Sequence, residues 1–211
     1  MPSSIARARA SARGYHHGDL KNALREAAST LIAARGVENV SLREISQAAG
    51  VSHAAAYRHY ADKQALLAEL AEEGFRQLAE INRQTMQATP GDAAQRLMAS
   101  GRAYVRFGVQ RPQVLQLMFG QAIPDWSAHP SLQQASADLA QTLAGVVAAG
   151  QADGSIRAAP LGELTLTAWS LVHGLTLLLA GRRIPEADVD DAFVERMAAR
   201  CVALLMDGLA A

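Results

Sequence analysis

Three helix-starting signals lie close together in the first third of the chain, and they constrain the fold more than any other feature. Ser41 precedes Glu44 by three positions, the spacing of a capping box, in which each side chain binds the other residue's backbone amide. Gly50 then suits a tight turn, and Ser52 and Asp62 can each cap a further helix. Two short helices joined by a tight glycine turn are typical of a helix-turn-helix unit.

The rest of the chain also has helical patterns. Asp19 can cap a first helix in which apolar residues recur at helical spacing up to Gly36. Half of the residues are hydrophobic but only 5% are aromatic, so alanine and leucine, both strong helix formers, must supply most of the core. Longer helices are predicted over residues 63–88, 92–110, 112–121, 131–150, 160–180 and 188–209. No stretch shows the alternation of a half-buried strand, so we predict an all-α fold of about nine helices.

The stretch SHAAAYRHYADK, which holds the second helix of the unit, combines very small side chains with hydrogen-bonding aromatics. At about 100° per residue, Ala56 and Tyr60 face the preceding helices. The outward residues are Ala54, Ala55, Arg58 and His59, with His53 and Tyr57 on the flank. Methyl side chains let a helix backbone approach base edges in the major groove and can contact a thymine methyl. A cluster that merely covers a small core is the alternative.

Polar groups near this helix are suited to DNA. Tyr57, His59 and Lys63 can donate hydrogen bonds to phosphate oxygens. Arg43, in the first turn of the preceding helix, can reach a guanine edge. A basic arm that could enter an adjacent minor groove is formed by Arg7, Arg9 and Arg13.

Charge is distributed unevenly along the chain, although the formal net charge is zero. The first 65 residues carry nine Lys/Arg and five Asp/Glu, and the remainder carries 11 and 15. This asymmetry favours a basic module for nucleic acid or an anionic surface, joined to a neutral or acidic body. A solvated basic face without a partner is the alternative.

Other function classes find little support in the sequence. It contains no Gly-rich phosphate loop, nucleophile elbow, paired-histidine zinc helix or CxxC motif, so we expect neither an enzyme nor a cofactor. His16, His17 and Asp19 are expected to serve in capping and phosphate contact, and no metal site is predicted. The single cysteine, Cys201, fits a reducing cytosol, and without a signal peptide we predict a cytoplasmic protein. The apolar run at residues 164–180 is shorter than the roughly 20 residues of a membrane span.

The segment SLREISQAAGVSHAAAYRHYADKQALLAEL resembles the N-terminal domain of the TetR/AcrR family of bacterial transcriptional regulators. The pattern covers about residues 15–70, and its matching positions are Ile45, Ala48, Ala49, Gly50, Val51, Tyr57, His59, Tyr60, Lys63 and Leu66. Tyr60 is a mild departure, because the family usually has phenylalanine there. The resemblance implies a homodimer in which the recognition helix of each subunit reads half of a palindromic double-stranded DNA operator.

The resemblance also implies roles for individual residues. The residues expected to contact bases are Arg43, His53, Ala54 and Ala55. Those expected to contact phosphates are Tyr57, His59 and Lys63. Because alanines cannot hydrogen-bond bases, specificity would depend on Arg43, His53, Arg58 and DNA shape.

The C-terminal part carries a second resemblance. The motif Trp-x-x-x-His-Gly at Trp169–Gly174 is similar to the signature of one TetR C-terminal subgroup, as is YHHGDL near the N-terminus. A domain of this kind is implied to bind a small-molecule inducer and to dimerise through its last two long helices. The predicted organisation is therefore an arm at 1–14, a helix-turn-helix domain at 15–63, and a ligand-binding and dimerisation domain at 64–211.

Two sets of residues are candidates for these tasks. A pocket for a small, mostly hydrophobic ligand could be lined by Tyr104, Phe107, Met118, Phe119, Trp126, Trp169 and His173. The alternative for each of these is an ordinary core position, and His173 is expected to be a hydrogen-bonded buried histidine. A four-helix dimer interface could be formed by the small residues Thr167, Ser170 and Gly174, together with the apolar stripe Val189, Phe193, Met197, Cys201, Leu204 and Leu205.

The function that follows from these expectations is that of a repressor released from its operator by a small, largely apolar ligand. The ligand would tilt the helix predicted at residues 63–88 and so change the spacing of the two recognition helices. A ligand-independent DNA-binding architectural or activator protein is the alternative.

Overall fold

The computed structural model describes residues 17–184 and 190–209. Over these residues the chain forms nine α-helices and two short 3-10 helices and no strand, which confirms the predicted all-α fold. The predicted basic arm and the predicted start of the last helix at Asp188 and Val189 lie outside the described residues. The side chains of His16, His17 and Asp19 also lie outside them.

The N-terminal unit consists of α1 (His17–Arg35), a 3-10 helix (Val37–Asn39), α2 (Leu42–Ala48) and α3 (His53–His59). The predicted capping box begins α2, since the Glu44 N–H donates to Ser41 Oγ at 3.2 Å and the Ser41 N–H donates to a Glu44 carboxylate oxygen at 2.9 Å. α1 begins two residues before Asp19, so this residue lies in the first turn instead of at the predicted cap.

The core of this unit is fully buried, and the next helix in the chain completes it. Leu24, Ala28 and Ile32 of α1 pack with Leu42 and Ile45 of α2 and with Ala56 and Tyr60 of the α3 segment. The same hydrophobic cluster continues into Leu66 and Leu67, near the start of α4 (Lys63–Ala88). The predicted domain boundary at residues 63 and 64 therefore falls on a helix that belongs to both cores.

The C-terminal domain adds five further helices to α4. They are α5 (Ala93–Gln110), α6 (Pro112–Phe119), α7 (Pro130–Asp153), α8 (Leu161–Ala180) and α9 (Asp191–Leu209), with a 3-10 helix at Trp126–Ala128 before α7. α4 packs against α5, α6 and α7, and α5 packs against α7, α8 and α9. The predicted helices all form, with boundaries that differ by a few residues.

The end of α7 differs from the prediction for a physical reason. Gly150 does not end the helix, which continues to Asp153 and stops at Gly154 with φ +79°. A Cβ atom at Gly150 would lie 2.5 Å from Cδ1 of Ile156. Because Gly150 has no side chain, Ile156 of the following segment can pack directly on the helix.

α8 is a helix that could cross a membrane by length and composition alone, with a mean hydropathy of 1.3 over its most apolar window. Its inward face packs in the protein core through Leu164, Ala168, Val172, Leu175, Thr176 and Leu179. Because core helices of soluble proteins pass the same test, this helix is weak evidence for a membrane span.

Candidate nucleic-acid interface and ligand cavity

The turn before α3 is built from local hydrogen bonds. Gly50 has φ +67°, a conformation that glycine adopts without strain, and the Val51 N–H donates to the Ser46 carbonyl at 3.0 Å. Ser52 then caps α3, since its Oγ accepts the Ala55 N–H at 3.2 Å. These contacts fix the direction in which α3 leaves α2.

α3 presents one exposed face made of residues that the sequence predicted for DNA contact. The side chains of His53, Ala54 and Arg58 are exposed, and 49% of Tyr57 is accessible. The rings of His53 and Tyr57 meet edge to face, with their centroids 4.7 Å apart. Arg43, in the first turn of α2, is also exposed. The exposed face of α3 and Arg43 together are called the α3 face below.

The structure corrects the placement of Ala55, which is only 8% exposed. Ala55 and Tyr57 flank the fully buried Ala56, each about 100° around the helix from it, at the two edges of the buried face. A methyl group at such an edge is covered by neighbouring atoms, whereas the long side chain of Tyr57 extends into solvent. Ala55 is therefore removed from the surface that could touch bases.

Lys63 links two parts of the helix-turn-helix unit. Its Nζ donates to the Val37 carbonyl at 2.6 Å, which joins the start of α4 to the 3-10 helix after α1. Asp62 caps α4 by accepting the Ala65 N–H at 2.8 Å. His59 is half-buried at the C-terminal end of α3. An ammonium group has three N–H donors, so Lys63 keeps donors for a phosphate while it makes this contact.

One acidic group near this region is kept ionised by its neighbours. The hydrogen bonds from the Ser41 side chain and backbone, followed by the nearby Arg35, lower the pKa of the Glu44 carboxyl. Arg35 Nη1 lies 3.4 Å from Glu44 Oε1 and links α1 to α2. The carboxylate of Glu44 is therefore bound by residues of the helix-turn-helix unit itself.

A cavity of about 660 Å³ lies in the C-terminal domain between α4, α5, α7, α8 and α9, with the end of α6 beside it. Its walls are mainly apolar, and they include Tyr104, Phe119 and Trp169 from the predicted pocket set. Exposed residues at its rim, among them Leu161 and Leu166 of α8, show that the cavity opens to the surface near the start of that helix.

The other four predicted pocket residues lie elsewhere. Phe107 and Met118 are buried in the hydrophobic core, where they fill the space between helices. Trp126 packs on Phe75, with ring centroids 5.8 Å apart. His173 stands behind the cavity wall and hydrogen-bonds to Tyr104, since its Nδ1 lies 2.8 Å from the Tyr104 hydroxyl. This placement agrees with the expected hydrogen bond, but His173 is half-buried and not buried as predicted.

Burial favours the uncharged form of both Tyr104 and His173. Burial raises the pKa of the Tyr104 hydroxyl and lowers the pKa of the His173 imidazole, because burial disfavours the charged form of either group. The hydroxyl of Tyr104, which lines the cavity, is therefore already hydrogen-bonded within the protein.

Sequence reasoning missed most of the cavity wall because it selected large side chains. The void exists where side chains are small, at positions such as Gly101 of α5 and Ser136 and Ala144 of α7. It also missed Phe75 and Asn82, through which α4 forms part of the cavity wall. Asn82 had a signal in the sequence, since it interrupts the apolar face of α4 four residues after the buried Leu78.

α8 and α9 leave an apolar surface uncovered. The most exposed large apolar side chains there are Leu166, Leu177, Leu178 and Leu204. Thr167 and Ser170 are exposed, and a Cβ atom at Gly174 would meet nothing within 4 Å. On α9 the buried row is Val194, Ala198, Val202 and Met206. The predicted stripe lies beside it, with Leu204 exposed and Phe193, Met197, Cys201 and Leu205 half-buried.

No metal centre is found in the part of the chain that the structure describes. Within residues 17–184 and 190–209, no group of three or more His, Cys, Asp or Glu side chains could hold a metal ion.

Two protein-family models match the chain. The model for bacterial regulatory proteins of the tetR family matches residues 24–70, and that for the tetracyclin repressor-like C-terminal domain matches residues 97–201. The first match contains α2, α3 and the start of α4, and the second contains α6 to α8 with parts of α5 and α9. No curated protein matches the chain in sequence.

Solved structures share the fold over almost the whole chain. A protein of unknown function from Rhodococcus sp. RHA1 is 31% identical, with a TM-score of 0.82 and coverage of 94% of this chain and 100% of that one. A bacterial regulatory protein in the tetR family from Rhodococcus RHA1 is 20% identical, with a TM-score of 0.70 and coverage of 90% and 97%.

The transcriptional regulator FadR from Bacillus subtilis, in complex with stearoyl-CoA, is 14% identical, with a TM-score of 0.74 and coverage of 89% and 98%. The two family matches fall on the helix-turn-helix unit and on the cavity-bearing domain, in the order in which the structure arranges them. The chain therefore belongs to the TetR family of bacterial DNA-binding transcriptional regulators.

Proposed function

We propose that this chain is a cytoplasmic, homodimeric repressor that leaves a palindromic DNA operator when a small, largely apolar ligand enters its cavity. α3 of each subunit would lie in the major groove of one half-site, with the two half-sites about 34–36 Å apart. Base contacts are assigned to Arg43, His53, Ala54 and Arg58. Phosphate contacts are assigned to Tyr57, His59 and Lys63. No enzymatic activity is expected.

The observation that carries this proposal is the continuity of α4 from the DNA-binding unit to the cavity. At its start, Lys63 donates to the Val37 carbonyl at 2.6 Å. One side of α4 is joined to α1 by ion pairs, among them Lys21 Nζ and Glu69 Oε2 at 2.8 Å. Further along, Phe75 and Asn82 line the cavity. A shift of α4 would therefore be passed directly to the helices that hold α3.

A close contact in the middle of α4 supports a tilting motion. A Cβ atom at Gly74 would lie 2.7 Å from Val114 and 2.8 Å from Met118, so the α4 backbone lies directly on α6 at this point. A ligand that pushes or pulls on the far end of α4 would then rotate it about this contact. The ligand changes DNA affinity only if it binds the two positions of α4 with unequal affinity.

The cavity supports a small-molecule ligand. Its volume of about 660 Å³ falls within the usual range for small-molecule sites, about 300–1,000 Å³. FadR from Bacillus subtilis, which has a similar fold, is found in complex with stearoyl-CoA. Stearoyl-CoA carries a long acyl chain, so this neighbour supports a ligand with a long apolar part.

The uncovered surface of α8 and α9 supports a homodimer. Leu177, Leu178 and Leu204 are about half or more exposed, and exposed apolar patches of this kind mark interaction sites. The small residues Ser170 and Gly174 would let a helix of a second subunit approach closely. A two-fold arrangement would bring the same surface of both subunits together.

The first experiment is footprinting on the DNA upstream of the chain's own gene and at neighbouring promoters. We expect a protected palindrome, with affinity falling on the order of 10³-fold between 50 and 200 mM salt if six or more phosphates are neutralised. Arg58→Ala should weaken this binding, whereas Arg102→Ala, the same charge change at an exposed position of α5, should not. Equal effects of the two variants, or no protected site, would contradict the assignment of the α3 face.

The second experiment separates a ligand-responsive repressor from the alternatives. Compounds that raise the melting temperature of the purified protein would be tested for release of the footprinted DNA. A transcriptional reporter under the same promoter would be compared in cells with and without the protein. Release by a stabilising compound, with higher reporter expression without the protein, is expected. Lower expression without it would indicate an activator, and no compound-dependent release would indicate a ligand-independent DNA-binding protein.

A further inference from the structure

The polar groups of the cavity wall differ in whether they already have partners. The Tyr104 hydroxyl is hydrogen-bonded to His173, and Thr165 Oγ1 donates to the Leu161 carbonyl of its own helix at 2.7 Å. Asn82 is different. It is only 6% exposed, and within the described part of the chain its Oδ1 has no hydrogen-bond partner.

A buried carboxamide oxygen without a partner is costly. Leaving such a group unsatisfied lowers stability, so buried amide oxygens in folded proteins are almost always paired. Asn82 lines the cavity, and the terminal torsion of an asparagine rotates over a broad range. A rotation about this torsion would turn Oδ1 toward the cavity, where a bound molecule could donate the missing hydrogen bond.

The charge of the cavity wall limits the ligand further. Among the described residues that line the cavity, none is an Asp, Glu, Lys, Arg or His. A carboxylate or phosphate inside it would lose its hydration without gaining a cation, which is strongly unfavourable. A neutral hydroxyl or amide N–H has no such cost when it finds an acceptor.

We infer that the cavity selects an uncharged, largely apolar ligand with a hydroxyl or amide N–H, and that this donor binds Asn82 Oδ1. The inference rests on the proposed function, because it names the ligand class of the same cavity. It also assigns the contact that couples the ligand to DNA release. Asn82 lies on α4, on the side of the Gly74 contact away from the DNA-binding unit, so a ligand held there acts on the opposite arm of the helix.

The test compares three probes that share an apolar chain. These are 1-decanol, which is neutral and donates a hydrogen bond, methyl decanoate, which is neutral and cannot donate, and decanoate, which is charged. Calorimetry on the full-length protein at neutral pH should show 1-decanol binding about tenfold more tightly than methyl decanoate. Decanoate should bind most weakly of the three.

Two variants then assign the preference to Asn82. Asn82→Leu should reduce the affinity for 1-decanol to that for the ester. Asn82→Leu should also raise the melting temperature of the ligand-free protein by roughly 2–4 °C, since it removes an unpaired polar group. Gln87→Leu removes an exposed carboxamide from the same helix and should change neither quantity.

The outcomes are separable from those of the proposed function. Equal affinities for the three probes, no binding by any of them, or a preference for decanoate overturns the inference, and this comparison needs no variant. A preference for 1-decanol that survives in Asn82→Leu overturns the role of Asn82. Binding of the footprinted DNA is measured on the same samples. Probe selectivity without DNA binding contradicts the proposed function alone, and DNA binding without selectivity contradicts the inference alone.

Discussion

The helix-turn-helix unit and the cavity-bearing domain are both helical, but they are held together in different ways. In the first, short helices are started and stopped by neighbouring residues, and side chains such as Leu24, Ile45 and Ala56 are completely buried. In the second, long helices approach each other at glycines and small residues, and a cavity of about 660 Å³ remains between them. One region is thus densely packed, while the other has unfilled space.

This difference suits the two tasks. A surface that fits a DNA groove needs a fixed shape, which local caps and a filled core provide. A domain that responds to a ligand needs a void that the ligand fills, together with helices that can move relative to each other. α4 belongs to both regions, since Leu66 and Leu67 lie in the first core and Phe75 and Asn82 border the void.

The largest expected effect comes from the same truncation in each region. Leu24→Ala should lower the free energy of unfolding toward the upper end of about 3–5 kcal/mol, and Leu139→Ala should fall toward the lower end. Leu139 borders the cavity and so has fewer neighbouring atoms to lose. Urea unfolding at a fixed protein concentration measures both. Equal losses would mean that the cavity wall is as densely packed as the N-terminal core.

The next effect concerns the contact of α4 with α6. Gly74→Ala should destabilise the protein by about 1–3 kcal/mol, because the added methyl group overlaps Val114 and Met118. Gly145→Ala, at an exposed helical position of α7 where a Cβ meets nothing within 4 Å, should instead stabilise it by about 0.5–1 kcal/mol. Thermal unfolding of both variants tests this. Equal signs would show that α4 is not tightly held at Gly74.

Two variants with effects of comparable size on DNA affinity should distinguish a residue that contacts bases from one that contacts phosphates. Arg43→Ala should cost about 1–3 kcal/mol on the operator and relax base preference, because its guanidinium would contact a base edge. Lys63→Met should weaken all DNA sequences alike and lower the salt dependence by about one counterion. Fluorescence anisotropy with the operator and a scrambled duplex measures both. Circular dichroism controls for the contact of Lys63 with the Val37 carbonyl.

The same contrast explains what the sequence could and could not predict. Ser41, Ser52 and Asp62 start helices through contacts with residues three positions away, so their spacing alone locates α2, α3 and α4. Gly150 was predicted to end α7 because its true role depends on Ile156, which reaches it from beyond the following turn. Local signals predict helix starts well, but they do not reveal why a glycine is required by a distant neighbour.

The candidate sites follow the same pattern. The α3 face could be predicted because a helix of two turns fixes which side chains point outward, and Ala55 differed only because it lies at an edge of the buried face. The cavity could not be predicted from the sequence, since its shape depends on which side chains of several helices are small. Tyr104, Phe119 and Trp169 line it, while Phe107 and Met118, equally apolar, fill the core beside it.

The smallest expected effect is a pH dependence that arises in the cavity-bearing domain. Burial lowers the pKa of His173 below its ordinary value of 6.5, so the unfolded chain takes up a proton first as the pH falls. Stability should therefore be constant above pH 6.5 and fall below it, and His173→Gln should reduce this slope.

The pKa values of Glu44 and Asp153 are lowered by hydrogen bonds, chiefly from Ser41 and Ser155, so their contribution to stability is lost only below their ordinary pKa values of 4.5 and 3.8. Melting temperatures between about pH 7.5 and 5.5 thus isolate the histidine. An unchanged slope in His173→Gln would show that His173 is hydrated in the folded state and that the wall behind Tyr104 is open to water.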